Sequence, residues 1–435
     1  MAFAFAASNC FRTLLFSSSA TTPRHIPAFA FSLHRFRLYS SRQNVVHILE
    51  ERGLLDSLTS DALRRPDLPL PPLRVYCGFD PTAQSLHLGN LLGIIVLSWF
   101  LRCGHQAVAL VGGATGRIGD PSGKSLERPE LDPVSLDMNV SSISATIQSI
   151  LGRVSTPSSV TILNNYDWWK DVKLLDFLRE VGRFARVGTM MSKESVRKEA
   201  RIGSGNELYR VHVPTAPRLR FPPSFPGLWT HISPSPQERW HQVRKSEDGA
   251  IWLSPSLLSP YQFYQYFFSI SDADVVRFLK ILTFLSIDEI SQIESEMRSP
   301  GYVPNTAQRR LAEEVTRFVH GEEGLEEALK ATQALRPGAE TKLDWKTIET
   351  IAEDVPSISL QQDQVLNLSL LDLSVRTGLL ESKSAARRLL KQGGLYLNNN
   401  RIDSEAKRIE PNDIVDGKVI LLSAGKKNKM IVRVS

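Results

Sequence analysis

The residues best suited to chemistry lie where a short apolar run gives way to polar residues. Residues 75–79 predict a strand, 80–82 form a turn signal, and the long apolar run 91–101 predicts a buried helix. In a parallel α/β sheet, phosphates bind between the end of a strand and the start of the following helix. His87 and Asn90 are three residues apart, so both can reach one phosphate from the same helix face. Taken alone, the two residues are better explained as a helix cap.

A second glycine-rich segment, residues 112–124, follows another predicted strand at 107–111. Within it, Asp120 could bind an ammonium group or cap a turn. Lys124 and Arg128 are four residues apart and offer cations for phosphate oxygens. The segment lacks the G-x-x-x-x-G-K-[ST] spacing of a P-loop, so the sequence predicts phosphate binding of another kind.

Strands and helices alternate through the first half of the chain. This alternation predicts a doubly wound, Rossmann-like parallel sheet. The strands are expected at 75–79, 107–111 and 160–163, with helices at 91–101 and 138–151. Further helices are expected at 274–285, 286–297 and 306–320 from their amphipathic spacing, followed by a helix at 382–392 and strands at 395–397 and 419–422.

The domain boundaries follow from these elements. The expected order is a catalytic nucleotide-binding domain at 43–270, a helical domain at 271–335, a linker at 336–365 and an α+β module at 366–435. Residues 1–42 are rich in Arg and Ser, and the first acidic residue is Glu50, as is typical of a mitochondrial or chloroplast transit peptide. The alternative is a disordered tail that carries no targeting signal.

Composition narrows the classes of partner. The three cysteines have no metal-ligand spacing, so neither a metal site nor a disulfide framework is expected. No apolar run is long enough to span a membrane. From Arg376 to the end there are 13 Lys and Arg residues and 6 Asp and Glu residues. The positive charge is therefore concentrated in the last sixty residues. A basic surface there fits a nucleic-acid partner or, more simply, a solvated face.

Several of these segments resemble the class I tyrosyl-tRNA synthetases. Residues 75–90 are similar to the first signature of that family, with HLGN as the HIGH-type box. Residues 112–124 and 164–168 resemble further motifs, and 245–265 resemble the end of the KMSKS-type loop and the sequence that follows it. Residues 385–398 resemble an S4 RNA-binding domain.

This resemblance implies an organellar, bacterial-type tyrosine–tRNA ligase, expected to be a homodimer without a membrane anchor. Its substrates would be L-tyrosine, ATP with Mg²⁺, and tRNA(Tyr), with no prosthetic group. The implied tyrosine-binding residues are Tyr76, Asp80, Thr115 and Asp120. The implied catalytic residues, which act on the phosphates of ATP, are Thr82, His87, Asn90, Lys124, Arg128 and Lys245. ATP would also contact Gly78, Gly89 and Ser246, and RNA would contact Lys383, Arg387, Arg388 and Lys391. Tyr76 could instead be a core aromatic residue.

One segment, residues 206–244, departs from the family. It holds seven prolines and no hydrophobic period. The family places a helix bearing Tyr, Gln and Asp here, and then a GGSDQWGN stretch, but neither is present. Gln242 stands where the first lysine of the mobile loop would fall, and Asn90 replaces the second histidine of HIGH. We interpret the segment as translated non-coding or misspliced sequence; a real insertion that rebuilds the pocket is the alternative.

Three functions compete at this point. The first is the organellar ligase. The second is a catalytically impaired isoform that retains only RNA binding. The third is an unrelated nucleotide-binding α/β protein, which the order of the motifs disfavours.

Overall fold

The computed structural model describes residues 44–58, 64, 73–118, 132–154, 159–180, 182, 188, 232–234, 250–336, 338, 345, 348, 355–425 and 428–435. These residues belong to one unit, Tyr39–Ser435. The transit-peptide prediction lies outside the described residues, and so does most of the segment 206–244.

A three-stranded parallel sheet carries the candidate site. Its strands are β2 (Arg74–Phe79), β3 (Gln106–Val111) and β4 (Val160–Asn164), in the order β2-β3-β4. Separately, β1 (Leu55–Leu58) pairs antiparallel with β5 (Ile232–Pro234). In the parallel sheet, Phe79 faces Val111 and Val111 faces Asn164. The carboxyl ends of all three strands therefore lie level.

Two long helices cover one face of this sheet. They are α2 (Leu88–Arg102) and α4 (Pro133–Gly152), which connect β2 to β3 and β3 to β4. Their apolar side chains share a core with alternate residues of β3, namely Ala107, Ala109 and Val111. Because successive strand residues point to opposite faces, Val108 and Leu110 turn the other way. There they pack with Tyr76, Leu163 and Trp168.

Short helices lie before and within this part of the chain, and a helical region follows the sheet. The short helices are α1 (Val45–Glu51), α3 (Gly113–Ile118), α5 (Tyr166–Trp169) and α6 (Leu174–Glu180). The helical region contains α7 (Pro260–Phe268), α8 (Asp272–Leu282), α9 (Ile287–Met297) and α10 (Thr306–Ala334). Gly321 interrupts α10 with a φ of 79°, a left-handed backbone that glycine adopts easily.

The C-terminal module is a five-stranded sheet with helices. The strand order is β6-β10-β9-β7-β8. The strands are β6 (Ser357–Leu360), β7 (Leu395–Leu397), β8 (Asn400–Arg401), β9 (Val419–Ala424) and β10 (Asn428–Val434), and the helices are α11 (Gln362–Val365), α12 (Leu370–Arg376) and α13 (Lys383–Lys391).

The structure corrects the content of the predicted linker, 336–365. Strand β6 lies inside that range and pairs parallel with β10, so it is part of the C-terminal sheet. The sequence obscures it because only Ile358 and Leu360 among its four residues are apolar. The predicted parallel sheet and C-terminal α+β module are confirmed. Within the described residues, no helix has the length and apolar content to cross a membrane.

Candidate active site and RNA-binding surface

The level strand ends bring polar residues together at one edge of the parallel sheet. Asp80 follows β2 and Gly112 follows β3. The Thr115 hydroxyl donates to the Gly112 carbonyl at 3.1 Å. A Cβ placed on Gly112 would collide with the Thr115 hydroxyl and lie 3.4 Å from Oδ1 of Asp80. Asp80 and Thr115 therefore border the same narrow space beside Gly112, where a larger residue would displace the Thr115 hydroxyl.

His87 and Asn90 form a reciprocal cap at the N-terminus of α2. Nδ1 of His87 accepts a hydrogen bond from the Gly89 backbone N–H at 3.0 Å. Oδ1 of Asn90 accepts from the His87 backbone N–H at 3.1 Å. Because Nδ1 is an acceptor, a neutral His87 carries its proton on Nε2. Each side chain thus uses its acceptor for the cap, and Nε2 of His87 and the amide nitrogen of Asn90 are the groups able to donate to a phosphate.

The cap is compatible with the predicted phosphate site. The helix N-terminus adds a partial positive charge, which favours anions, although the first backbone N–H groups of the helix are already paired, Leu88 with the Ile251 carbonyl and Gly89 with Nδ1 of His87. Thr82 lies in the turn before the helix, and its backbone N–H donates to the Asp80 carbonyl at 2.9 Å. The structure therefore brings Asp80, Thr82, His87, Gly89 and Asn90 into one continuous turn-and-helix segment.

A distant segment pairs with this turn. The Leu88 N–H donates to the Ile251 carbonyl, and the Leu253 N–H donates to the Leu86 carbonyl, each at 2.8 Å. The ring of Trp252 lies 6.4 Å from that of His87, centroid to centroid. These contacts hold the residues that follow the predicted mobile loop beside the N-terminus of α2.

Tyr76 occupies the face of the sheet opposite to α2 and α4. It is partly buried and packs with Val108, Leu110 and Trp168. Strand alternation places Gly78 and Asp80 on this same face. A Cβ on Gly78 would meet no atom of the described chain within 4 Å. Tyr76 is therefore both a core aromatic residue and a side chain on the face that leads to Asp80.

The structure adds two residues that the sequence analysis did not single out. Asn165 is buried, and its Oδ1 accepts from the Ala114 N–H at 2.6 Å, which fixes the start of α3. Arg117 lies 3.7 Å over the ring of Tyr166 and pairs with Asp137 at 2.7 Å. The sequence signal for Asn165 is its position directly after a predicted strand, within the motif at residues 164–168. Asp120, Lys124, Arg128, Lys245 and Ser246 lie outside the described residues.

The four predicted RNA-binding cations lie on α13, and all are exposed. Two have acidic partners: Lys383 pairs with Asp372, and Arg387 pairs with Glu405 at 3.2 Å. Hydrogen bonds from Lys383 and then Ser369 hold the pKa of Asp372 below its usual value. Among the described residues, Arg388 and Lys391 have no ion-pair partner, so their charges are the most available to phosphates.

Comparison with known proteins decides the family. A family model described as class I tRNA synthetases (W and Y) matches residues 69–209 and 242–335. A second, described as the SYY-like C-terminal domain of tyrosine–tRNA ligase, matches residues 347–432. A chloroplastic/mitochondrial tyrosine–tRNA ligase of Arabidopsis thaliana is 59% identical over 430 residues, covering 91% of this chain and 84% of the relative. The chain belongs to the tyrosine–tRNA ligases.

Further relatives agree with this assignment. The tyrosine–tRNA ligase of Protochlamydia amoebophila is 42% identical, and the alignment covers 90% of this chain and 99% of the relative. The crystal structure of a C-terminally truncated mitochondrial tyrosyl-tRNA synthetase of Aspergillus nidulans matches with a TM-score of 0.54 and 25% identity, over 66% of this chain and 93% of the other. The Arabidopsis relative also confirms the prediction of an organellar ligase.

The comparisons locate where this ligase departs from its family. The catalytic family model leaves residues 210–241 unmatched, within the proline-rich segment 206–244. The alignment with the Arabidopsis relative spans 430 positions but 91% of the 435 residues here, about 396, so about 34 positions of the relative have no counterpart in this chain. This chain is therefore shorter than its relative within the aligned region.

Proposed function

We propose that the chain is an organellar tyrosine–tRNA ligase that activates L-tyrosine with ATP and transfers it to tRNA(Tyr). The observation that carries this proposal is the site at the N-terminus of α2. There His87 and Asn90 cap the helix through their acceptor atoms, and each side chain also carries an N–H donor, Nε2 of His87 and the amide nitrogen of Asn90. Family membership then supplies the substrates: tyrosine, ATP and tRNA.

The first step needs no covalent intermediate with the protein. A carboxylate oxygen of tyrosine forms a bond to the α-phosphorus of ATP, and the bond from that phosphorus to the pyrophosphate oxygen breaks. Negative charge grows on the phosphate oxygens during this step. Donors fixed in advance stabilise such charge more than a reorganising solvent does. His87, Asn90 and Thr82 would supply these donors, and ATP would arrive with Mg²⁺ as its counter-ion.

The remaining predicted residues divide between the two substrates. Tyr76 would contact the tyrosine phenol, while Asp80 and Thr115 would line the pocket at the end of β2. Asp120 would meet the ammonium group. Gly78 and Gly89 would let ATP approach the backbone closely. Three cations, Lys124, Arg128 and Lys245, would hold the pyrophosphate. Together with Ser246 they would complete the ATP site.

The second step uses the C-terminal module. A ribose hydroxyl at the 3′ end of tRNA attacks the carbonyl of tyrosyl-adenylate, and AMP leaves. The cations of α13 would hold tRNA through its phosphates, a contact that senses charge and backbone shape rather than base sequence. The proposed domains are a transit peptide at 1–42, a catalytic domain at 43–270, a helical domain at 271–335 and an S4-like module at the C-terminus.

A homodimer is the assembly that best fits the exposed apolar residues. Near the start of α4, Val134 is 70% exposed and Met138 is 59% exposed. On α6, Leu174 and Leu175 are 71% and 78% exposed. Large apolar side chains exposed in this way are typical of an interface. Analytical ultracentrifugation should show a dimer, and Met138→Asp should shift it towards monomer; an unchanged monomer in both would contradict this assembly.

A second function is favoured by one observation, the unmatched residues 210–241. If the missing positions removed the tyrosine pocket, the chain would bind tRNA without charging it. Aminoacylation of organellar tRNA(Tyr) with labelled tyrosine tests the two functions. Charging that depends on ATP and tyrosine supports the ligase. Filter binding of tRNA without any charging would support the RNA-binding isoform instead.

A further inference from the structure

The C-terminal module and the end of α10 share one small apolar core. Strands β9 and β10 supply part of it, the end of α10 supplies another part, and the chain between α10 and the module supplies Ile348 and Val355. Its buried members are Ala331, Ala334, Leu335, Ile348, Val355, Val419, Leu421 and Ile431. Tyr261 of α7 and Trp345 also pack against it. The module is therefore docked on the helical region.

Two residues with an unusual backbone flank this core. Asn399 has a φ of 65° and Asp416 a φ of 48°. In this left-handed region a Cβ is costly and glycine is favoured, although Asn and Asp are tolerated better than other residues. Each of the two reaches out of the module with its side chain, which glycine could not do.

The Asn399 contact closes the end of a helix. Its Nδ2 donates to the carbonyl of Ala334, the last residue of α10, at 2.6 Å. The final carbonyls of a helix have no partner within the helix, so an outside donor there replaces water. The backbone carbonyl of Asn399 accepts a hydrogen bond from the Gly338 N–H at 2.8 Å. Asn399 is 1% exposed, so both bonds are shielded from solvent.

Asp416 binds the chain between α10 and the module at a second place, Trp345. Its Oδ2 accepts from the Trp345 N–H at 2.7 Å. The neighbouring Lys418 ammonium lies 5.3 Å from the centroid of the Trp345 ring. The contacts of Asn399 and Asp416 thus fix the connection between α10 and the module at two places.

The docked module is joined to the active site by short steps. Tyr261 packs on the shared core, and it belongs to α7. This helix begins a few residues after the segment that pairs with Leu86 and Leu88 beside His87. The position of the module is therefore tied to the elements that hold the α2 N-terminus.

We propose that Asn399 and Asp416 are positioning residues that lock the C-terminal module onto α10, so that the α13 cations and the site at His87 keep a fixed separation. A tRNA molecule would then meet a preorganised surface and lose less freedom on binding. The role of tRNA here rests on the proposed function, but the docking itself does not.

The test measures distance in the full chain with two spectroscopic labels. Genetically encoded labels would be placed at the exposed positions Glu327 on α10 and Asn412 on the module. The distance distribution should be narrow in the wild type and broad in N399G combined with D416G. Glycine keeps the left-handed backbone at both positions, so the substitutions remove the side-chain contacts alone.

Asn398 provides the matched control. It also has a positive φ, 48°, but its side chain bonds within the module, to Asp413 and Leu421. N398G should lower the melting temperature of the module and leave the distance distribution narrow. A broad distribution in the wild type, or a narrow one in the double variant, would overturn the proposal.

Binding of tRNA gives the functional readout. The double variant should bind tRNA(Tyr) about tenfold more weakly, in keeping with the loss of two hydrogen bonds that each lie at the lower end of the usual net contribution to stability. Tyrosine-dependent pyrophosphate exchange, which needs no tRNA, should be unchanged. Equal affinity with a broadened distance would overturn the positioning role. A wild type that binds no tRNA but keeps a narrow distance would support the docking and contradict the proposed function.

Discussion

His87 uses the two nitrogens of one ring for different purposes. Nδ1 accepts from the backbone of Gly89, which stabilises the start of α2. This bond fixes the neutral tautomer with the proton on Nε2. In the proposed reaction, the Nε2–H group donates a hydrogen bond to a phosphate oxygen of ATP. The helix cap therefore sets the state of the catalytic donor.

A substitution can separate these two purposes. Asparagine caps helices well, so His87→Asn should keep the cap and lose the Nε2 donor. We expect the unfolding temperature to stay close to that of the wild type. The kcat for tyrosine-dependent pyrophosphate exchange should fall about 100-fold or more, as on removal of one transition-state donor. Equal kcat in the variant would contradict the assigned role, and His87→Ala should lose both stability and rate.

A second histidine makes the fold sensitive to acid. The ring of His320 packs edge-on against Phe263, 4.8 Å between centroids. Burial, and then the nearby Arg153, lower the pKa of His320 to about 4. The unfolded chain binds a proton near pH 6.5, whereas the folded chain resists it. The stability is therefore complete above pH 6.5 and is lost as the pH falls towards 4.

The expected loss from His320 is at most about 3 kcal/mol between pH 7 and pH 4. Denaturant unfolding at several pH values measures it. His320→Gln cannot titrate in this range, so its stability should fall less steeply with acid. Parallel curves for the two proteins would show that His320 contributes nothing to the pH dependence.

The sequence predicts the phosphate site because its residues are close together in the chain. His87 and Asn90 follow a strand and open an apolar helix, and each step is a local signal. The contact of Trp252 with His87 joins distant parts of the chain, and no local period reveals it. Likewise, the roles of Asn399 and Asp416 depend on a left-handed backbone that composition does not show.

At the scale of elements, regular patterns were predicted and irregular ones were not. Helix α2 follows from a long apolar run, and the predicted end of a helix at residue 320 coincides with the break at Gly321. The continuation of α10 beyond Gly321 was not predicted because two glycines, Gly321 and Gly324, stand at its start and glycine disfavours helix. Strand β6 was missed because it is short and half polar, and its partner β10 comes seventy residues later in the chain.

Helix α13 gives a prediction at this scale. Each phosphate contact that is lost should reduce the slope of log K against log salt by about 0.7 to 0.9. Arg388→Ala and Lys391→Ala should each show this change when tRNA binding is measured across salt concentrations. Arg387→Ala should change the slope less, because that side chain already pairs with Glu405.

A control cation lies elsewhere on the surface. Lys330 of α10 is 77% exposed and has only a long ion pair of 3.9 Å to Glu326. Lys330→Ala removes the same charge without touching the module, so its salt slope should equal that of the wild type. Identical slopes for all of these variants would mean that α13 does not contact RNA.

At the scale of the whole molecule, the chain combines the proposed phosphate site at the N-terminus of α2 with an altered sequence between β4 and α7. The described strands end level, and the α2 cap is complete. The tyrosine pocket depends in addition on residues 206–244, which lie largely outside the described part of the chain. Discrimination of tyrosine from phenylalanine requires partners for the phenol, which can be worth up to about 10⁵ in specificity. The altered segment should therefore weaken selectivity more than phosphate chemistry.

The most direct test of the ligase is tyrosine-dependent exchange of labelled pyrophosphate into ATP, measured with residues 43–435. This reaction requires tyrosine, ATP and the α2 site, but no tRNA. We predict exchange that rises with tyrosine and falls about 100-fold or more in His87→Asn. A folded protein that binds tRNA(Tyr) but exchanges no pyrophosphate at any tyrosine concentration would contradict it, and would identify the chain as an RNA-binding isoform.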